Sequence, residues 1–228
     1  MDDHSLALRF QQTLARIEAA ATRCQRPAPL LLAVSKTQPA AAIRALFALG
    51  QRAFGESYWQ EAQGKLEQLA DLPIDWHFIG PLQANKTRPV AEHFAWAHGV
   101  EREKIARRLS EQRPPQLPPL NICLQVNLDG EASKAGVAPE DVLPLALVVK
   151  VLPNLKLRGL MCIPAPREDV TGQRAAFRRM ADLLAQLQAA GIEGLDTLSM
   201  GMSDDLEAAI AEGSTLVRVG TAIFGERV

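Results

Sequence analysis

Leu30-Leu31-Leu32-Ala33-Val34-Ser35-Lys36 carries five consecutive apolar residues between Pro29 and a polar pair. So short a run, with no polar alternation, reads as a strand buried on both faces, the pattern of a parallel sheet covered by helices. Lys36 closes the run. In α/β proteins, ligands gather at the carboxyl ends of such strands. A lysine there can be partly desolvated, which lowers its pKa and exposes an amine able to form a Schiff base with a carbonyl. Position alone favours a solvated loop lysine, so the rest of the chain has to decide.

Seven further strand candidates follow: Arg52–Glu56, Asp75–Gly80, Ala95–Val100, Asn121–Leu128, Leu155–Met161, Thr197–Gly201 and Leu216–Thr221. Helical stretches lie between most of them, at 39–49, 61–69, 102–112, 141–151, 172–190 and 204–211. Ahead of the first strand, Leu6, Phe10, Leu14, Ile17 and Ala21 form one apolar stripe of a helix over 5–22. Strands alternating with helices imply a parallel sheet with right-handed crossovers. Eight units predict a single (β/α)8 TIM-type barrel with an extra N-terminal helix, one domain spanning residues 1–228. An open doubly wound sheet is the alternative, weakened by the lack of a GxGxxG after the first strand. The Pro-rich stretch Arg113–Pro119 reads as a stiff loop entering strand five rather than a domain linker.

A chain of 228 residues buries roughly 70–75% of its unfolded surface and needs no disulfide or metal to fold. Its three cysteines form no CxxC pair, and Cys123 and Cys162 sit in apolar runs as core residues, the usage of a reducing compartment. The acidic start Met1-Asp2-Asp3-His4 is no signal peptide, and no apolar run approaches membrane-spanning length. A cytoplasmic protein without a membrane partner is expected. A formal charge of −1 and 5% aromatic residues argue against a nucleic-acid partner. The basic clusters Arg102–Arg108 and Arg174–Arg179 read as solvated helix faces.

The strand ends supply one amine (Lys36), one arginine (Arg218), hydroxyls and small glycine turns, with Glu56 the only acid. Barrels often bind phosphate at the loops after strands seven and eight. There Ser199-x-Gly201 and Gly220-Thr221 offer hydroxyls and closely approachable amides, a cradle that needs no metal. The four histidines lack ligand spacing, so no metal is expected, and His77 reads as a hydrogen-bonded core residue. No GxSxG marks a nucleophilic serine. Asp204 and Glu207 are placed as a capping box.

A set of ordered motifs then resembles a known family. They are Ala33-Val34-Ser35-Lys36-Thr37, Phe54-Gly55-Glu56 and His77-Phe78-Ile79-Gly80-Pro81-Leu82-Gln83-x-Asn85-Lys86. After them come Ser133-Lys134-x-Gly136, Leu157-Arg158-Gly159-Leu160-Met161, Ser199-Met200-Gly201-Met202-Ser203-Asp204 and Val217-Arg218-x-Gly220-Thr221-x-Ile223-Phe224-Gly225. Together they resemble the YggS/PROSC family of pyridoxal phosphate homeostasis proteins, whose barrel is like the N-terminal domain of alanine racemase. The resemblance implies pyridoxal 5′-phosphate as cofactor, carried by Lys36 as an internal aldimine. It places the phosphate on Ser199, Gly201, Gly220 and Thr221, and Arg218 against the pyridine nitrogen. One departure stands out: the family's Gly-Glu-Asn-Tyr reads Gly55-Glu56-Ser57-Tyr58 here, which loses the amide's reach and donors.

An arginine at the ring nitrogen can donate to it but not accept its proton, so the ring is a weak electron sink. Related racemases add a second domain and a tyrosine opposite the lysine. This sequence stops at Val228, after strand eight, and its single tyrosine is Tyr58. A monomeric, non-catalytic carrier that buffers the cofactor or delivers it to apo-enzymes by transient contact is therefore expected. A racemase on the same cofactor is the alternative, and a cofactor-free aldolase the third reading. Lys134 is a second amine, read as a solvated loop residue.

Overall fold

In a computed structural model, residues 3–131 and 134–225 are described. Ser133 of the Ser133-Lys134-x-Gly136 motif, and Met1, Asp2 and Val228, lie outside the described residues. Eight strands form a closed, all-parallel barrel in chain order: β1 (Leu30–Val34), β2 (Ala53–Glu56), β3 (Asp75–Phe78), β4 (Trp96–Val100), β5 (Leu120–Val126), β6 (Leu155–Cys162), β7 (Thr197–Ser199) and β8 (Leu216–Val219). Closure is made by β1, which pairs with β2 through Ala33↔Phe54 and with β8 through Leu32↔Arg218. Around the barrel run α1 (Asp3–Arg23), α2 (Ala40–Ala48), α3 (Trp59–Gln68), α4 (Thr87–His93), α5 (Glu103–Gln112), α6 (Val142–Val149), α7 (Val170–Ala189), α8 (Leu206–Ala211) and α9 (Thr221–Phe224). The predicted (β/α)8 barrel with its extra N-terminal helix is the observed architecture.

Strand periodicity sorts side chains between two cores. On β1, Leu31 and Ala33 face the helix layer and join the main core with Phe54, Phe78 and Val217. Leu32 faces the lumen, where it meets Ala53, Leu216 and Ile79. The same parity carries Val34 and Lys36 to the lumen mouth. Farther round, the lumen is polar, with His77, His98, Ser199 and Arg218 all buried. Cys123 and Cys162 are buried free thiols, and burial pushes both up to about 12, so they act as packing groups.

Several local expectations need correction, strands three, five and seven each ending two residues earlier than expected. Strand one ends at Val34, and Ser35-Lys36-Thr37 is a turn with Thr37 at φ 67°. Strand eight ends at Val219, because Gly220 turns the chain into α9 and Thr221 opens that helix. The apolar stripe of α1 runs through Thr13 rather than Leu14: Thr13 is buried with its hydroxyl on Arg9 O (2.8 Å), while Leu14 is 42% exposed. Spacings of four, three and four follow a 3.6-residue turn better than two successive fours. No Asp204–Glu207 capping box forms. Asp205 is the residue preceding α8, its carboxylate accepts from Met202 N (2.6 Å), and Glu207 pairs with Arg16.

The helix α4 was not anticipated, since it is one short stretch containing Pro89. Proline is tolerated there because first-turn amides have no intrahelical partner. Arg113 anchors the Pro-rich loop before β5, donating to Ala91 O, Phe94 O and Pro118 O. The basic clusters are spent in part on ion pairs, Arg107 with Glu103, and Arg174 and Arg178 with Glu212. Among the described residues no helix is long and apolar enough to cross a membrane.

Candidate functional site

A cavity of about 220 Å³ opens at the carboxyl ends of the strands, lined by Lys36 after β1, Ser57 after β2, Ser203 after β7, Arg218 on β8, and Gly220 and Thr221 at the start of α9. The amine, the arginine and the second half of the expected cradle thus share one space.

The Lys36 turn is held from behind. Lys65 of α3 donates to Ser35 O (2.8 Å), to Glu56 Oε1 (2.9 Å) and to Glu61 Oε1 (2.5 Å). The Ser35 hydroxyl donates to Glu56 Oε1 (2.6 Å), and the Thr37 amide donates to Glu61 Oε1. The residues on both sides of Lys36 are therefore pinned to one buried ion-pair cluster, and Lys36 itself is half-buried at the cavity wall. Burial raises the Glu56 pKa, opposed by the charge of Lys65 and the hydrogen bonds from Ser35 and Lys65. Ser57 also lies at a close approach of two loops: a Cβ on Gly80 would sit 2.0 Å from Ser57 O, so only glycine fits there.

Arg218 is 4% exposed. Its Nη1 donates to Ser199 O (2.6 Å) and Ser199 Oγ (2.8 Å), and its Nη2 to Cys162 O (2.8 Å). Among the described residues no carboxylate pairs with it, so it faces the cavity as a cation compensated by neutral dipoles. Burial lowers its pKa, with Cys162 and Asp205 acting in the opposite sense, yet an arginine remains protonated.

Ser199 and Gly201 are not brought to the cavity wall. Ser199 is fully buried behind Arg218, its hydroxyl shared between Arg218 and His98 Nδ1 (2.8 Å). As the last residue of β7 it keeps lumen parity and cannot turn outward into the loop. Gly201 has φ 94°, and a Cβ there would lie 2.6 Å from Ala209 Cβ, so it serves the close packing of α8. The hydroxyl that does reach the cavity is Ser203, two residues beyond Gly201. Its Oγ accepts from Ala222 N (3.3 Å), and its carbonyl is held by Arg16 Nη2 (3.1 Å). Ser203 stood in the strand-seven motif, and the signal passed over was that loop residues, not the strand's last one, face the mouth. Lys134 lies apart, paired with Glu131 (3.0 Å). Also missed was His98, which shares the lumen face of β4 with Trp96 and lies beside His77.

The sequence profile of the alanine racemase N-terminal domain matches residues 9–228. The chain belongs to that family. Relatives include the pyridoxal phosphate homeostasis proteins of Pseudomonas aeruginosa, 62% identical over 98% of this chain and 96% of its own, and of Escherichia coli, 51% identical over 98% and 97%. The resemblance noted from the motifs is thereby borne out. PipY of Synechococcus elongatus, solved with PLP bound, superimposes with a TM-score of 0.83 at 40% identity, covering 96% of this chain and 100% of that one. The alanine racemase of Corynebacterium glutamicum shares the fold alone, with a TM-score of 0.74 at 15% identity over 62% of its length.

Proposed function

We propose that this chain binds pyridoxal 5′-phosphate through a Schiff base at Lys36 Nζ and serves its homeostasis, buffering the cofactor or delivering it to apo-enzymes without turnover. The observation that carries this reading is the shared cavity: the Lys36 amine, and a buried guanidinium that no carboxylate pairs among the described residues, face one small space with the three hydroxyls of Ser57, Ser203 and Thr221. That donor set fits a phosphorylated aldehyde with a basic ring nitrogen. Lys36 supplies the nucleophile. Thr221, Gly220 and Ser203 lie where the phosphate belongs, and the first amides of α9 have no intrahelical acceptor. Ser199 and Gly201 support this cradle from behind, with Ser199 acting through Arg218. The relatives' name and the PLP-bound PipY structure support the same ligand.

When bound, the cofactor supplies an aldehyde and a conjugated ring that can withdraw electrons. With the cofactor bound, Arg218 would donate to the ring nitrogen without protonating it, which would keep the ring a weak sink. Tyr58, the single tyrosine of the chain, is 59% exposed. In this reading these residues bind and orient, and Tyr58 is not among the described residues lining the cavity. A cytoplasmic monomer without nucleic-acid or membrane partners completes the reading, in keeping with the formal charge of −1 and the free cysteines.

Purified protein should take up added cofactor with a visible absorption band that borohydride fixes onto the peptide containing Lys36. Lys36→Ala should lose the covalent adduct and retain weak binding. Transfer to an apo-enzyme should proceed faster with the loaded protein than with free cofactor at the same free concentration. L- or D-alanine should not be racemised, and rapid turnover of either would replace the carrier by an enzyme. Light scattering at the mass of one chain checks the monomer.

A further inference from the structure

A line of polar side chains crosses the barrel lumen from its amino end to the cavity. His77 Nε2 lies 3.1 Å from Asp75 Oδ2, and His77 Nδ1 lies 2.9 Å from His98 Nε2. His98 Nδ1 lies 2.8 Å from Ser199 Oγ, which in turn accepts from Arg218 Nη1 at 2.8 Å. We propose that Asp75, His77 and His98 are positioning residues that act through Ser199 to hold the Arg218 guanidinium in one orientation at the cavity. Its importance for the cofactor rests on the reading above.

The two ends dictate the direction of the chain. Arg218 is donor-only and Asp75, ionised, is acceptor-only. The Ser199 hydroxyl accepts from Arg218, and its own proton needs an acceptor because the residue is 0% exposed. His98 Nδ1 is the acceptor within reach. His98 then carries its proton on Nε2 and donates to His77 Nδ1, so His77 carries its proton on Nε2 and donates to Asp75. Every donor points away from Arg218, and each ring has one allowed tautomer.

Both rings must be neutral for this order, and their surroundings favour that. Burial lowers the His77 pKa, with Asp75 opposing, and burial, His77 and Arg218 together lower that of His98 well below its ordinary value. Trp96 lies flat on His77, with ring centroids 5.2 Å apart and planes 6° apart, so the ring cannot swing out of line. Buried polar groups on this scale persist when each donor meets an acceptor. The chain polarises the Ser199 oxygen toward Arg218 and supplies remote negative charge to a cation that no carboxylate pairs among the described residues.

Nitrogen-15 NMR of the two histidine rings in cofactor-free protein should show both as neutral Nε2–H tautomers. A proton on Nδ1 of either ring overturns the chain, whatever the protein binds. In protein loaded with pyridoxal 5′-phosphate, Asp75→Ala and Ser199→Ala should each speed cofactor release about fivefold, one hydrogen bond's worth. Both should shift the visible band in the same direction. Asp75→Asn, whose amide oxygen still accepts from His77, should stay within about twofold of the unsubstituted protein. The double variant Asp75→Ala/Ser199→Ala should release no faster than Ser199→Ala alone, because both cut one chain. The Asp75 side chain is 42% exposed, so its variants are expected to fold. An Asp75→Ala protein with unchanged band and release, or additive effects in the double variant, overturns the positioning role. Absence of any band in the unsubstituted protein overturns the cofactor reading instead, while the tautomer spectra still decide the chain.

Discussion

Lys65 is the residue on which the lysine turn depends. It is nearly inaccessible, yet its ammonium meets Ser35 O, Glu56 and Glu61 at once. Removing one partner of a buried ion pair leaves the other charge uncompensated. Lys65→Met should therefore lower stability by about 3–5 kcal/mol, read as the urea midpoint, since Glu56 would stay buried and unpaired. It should also loosen the Ser35-Lys36-Thr37 turn, read as faster proteolysis there. At this scale the sequence was legible where parity along a strand decides position. Lys36 follows Leu32 and Val34 to the lumen mouth; the run singled it out, but position alone favoured a solvated loop lysine until the strand-end residues and the motifs were added. The position of Ser199 was less legible: it also faces the lumen, yet it sits behind Arg218 rather than at the cavity wall.

The contact of α7 with α8 turns on Glu212, which directly follows the last residue of α8. A carboxylate there opposes the helix dipole. Arg174 Nε (2.7 Å) and Arg178 Nη2 (2.7 Å), both from α7, reverse that cost. Burial works against ionisation of Glu212, but the hydrogen bonds and charges of the two arginines together hold its pKa below the ordinary glutamate value. A depressed acid contributes stability above its unfolded pKa and loses it as pH falls through the folded one. Glu212→Gln should thus cost about 1–2 kcal/mol at pH 7, with the arginines half-exposed and screened. The difference should vanish as pH drops below the glutamate range, checked by urea titrations at successive pH values. The eight strands and most helices were legible because apolar runs and helical stripes alternate so regularly, whereas α4 was missed. Element ends were not, since Gly220 starts a turn of helix where an extended strand had equal local support, and the proline in α4 disguised a helix start.

Across the molecule, α1 ties the beginning of the chain to the loops that shape the cavity. Leu6, Phe10 and Ile17 are buried against the barrel's helix layer. Arg9 Nε donates to Ile223 O (2.8 Å), and Arg16 holds both Ser203 O (3.1 Å) and Glu207 (3.0 Å). Phe10→Ala should cost about 3–5 kcal/mol by calorimetry or urea unfolding. Arg16→Ala removes a half-exposed ion pair and should cost about 1 kcal/mol or less, yet it should speed cofactor release by freeing Ser203. A residue that matters little for stability and more for retention is the expected signature of a strap. The closed order β1 to β8 was legible from the eightfold rhythm, but the strap was not, because its hydrogen bonds join residues some two hundred positions apart.

That closure has a consequence during synthesis. The amine at residue 36 leaves the ribosome early, whereas Arg218, Gly220 and Thr221 emerge almost two hundred residues later, and α1 has nothing to brace until they do. On the proposed reading, a nascent chain halted before β8 holds Lys36 but lacks the residues proposed to cradle the cofactor's phosphate. On that reading, ligand retention is acquired last, after the barrel has closed.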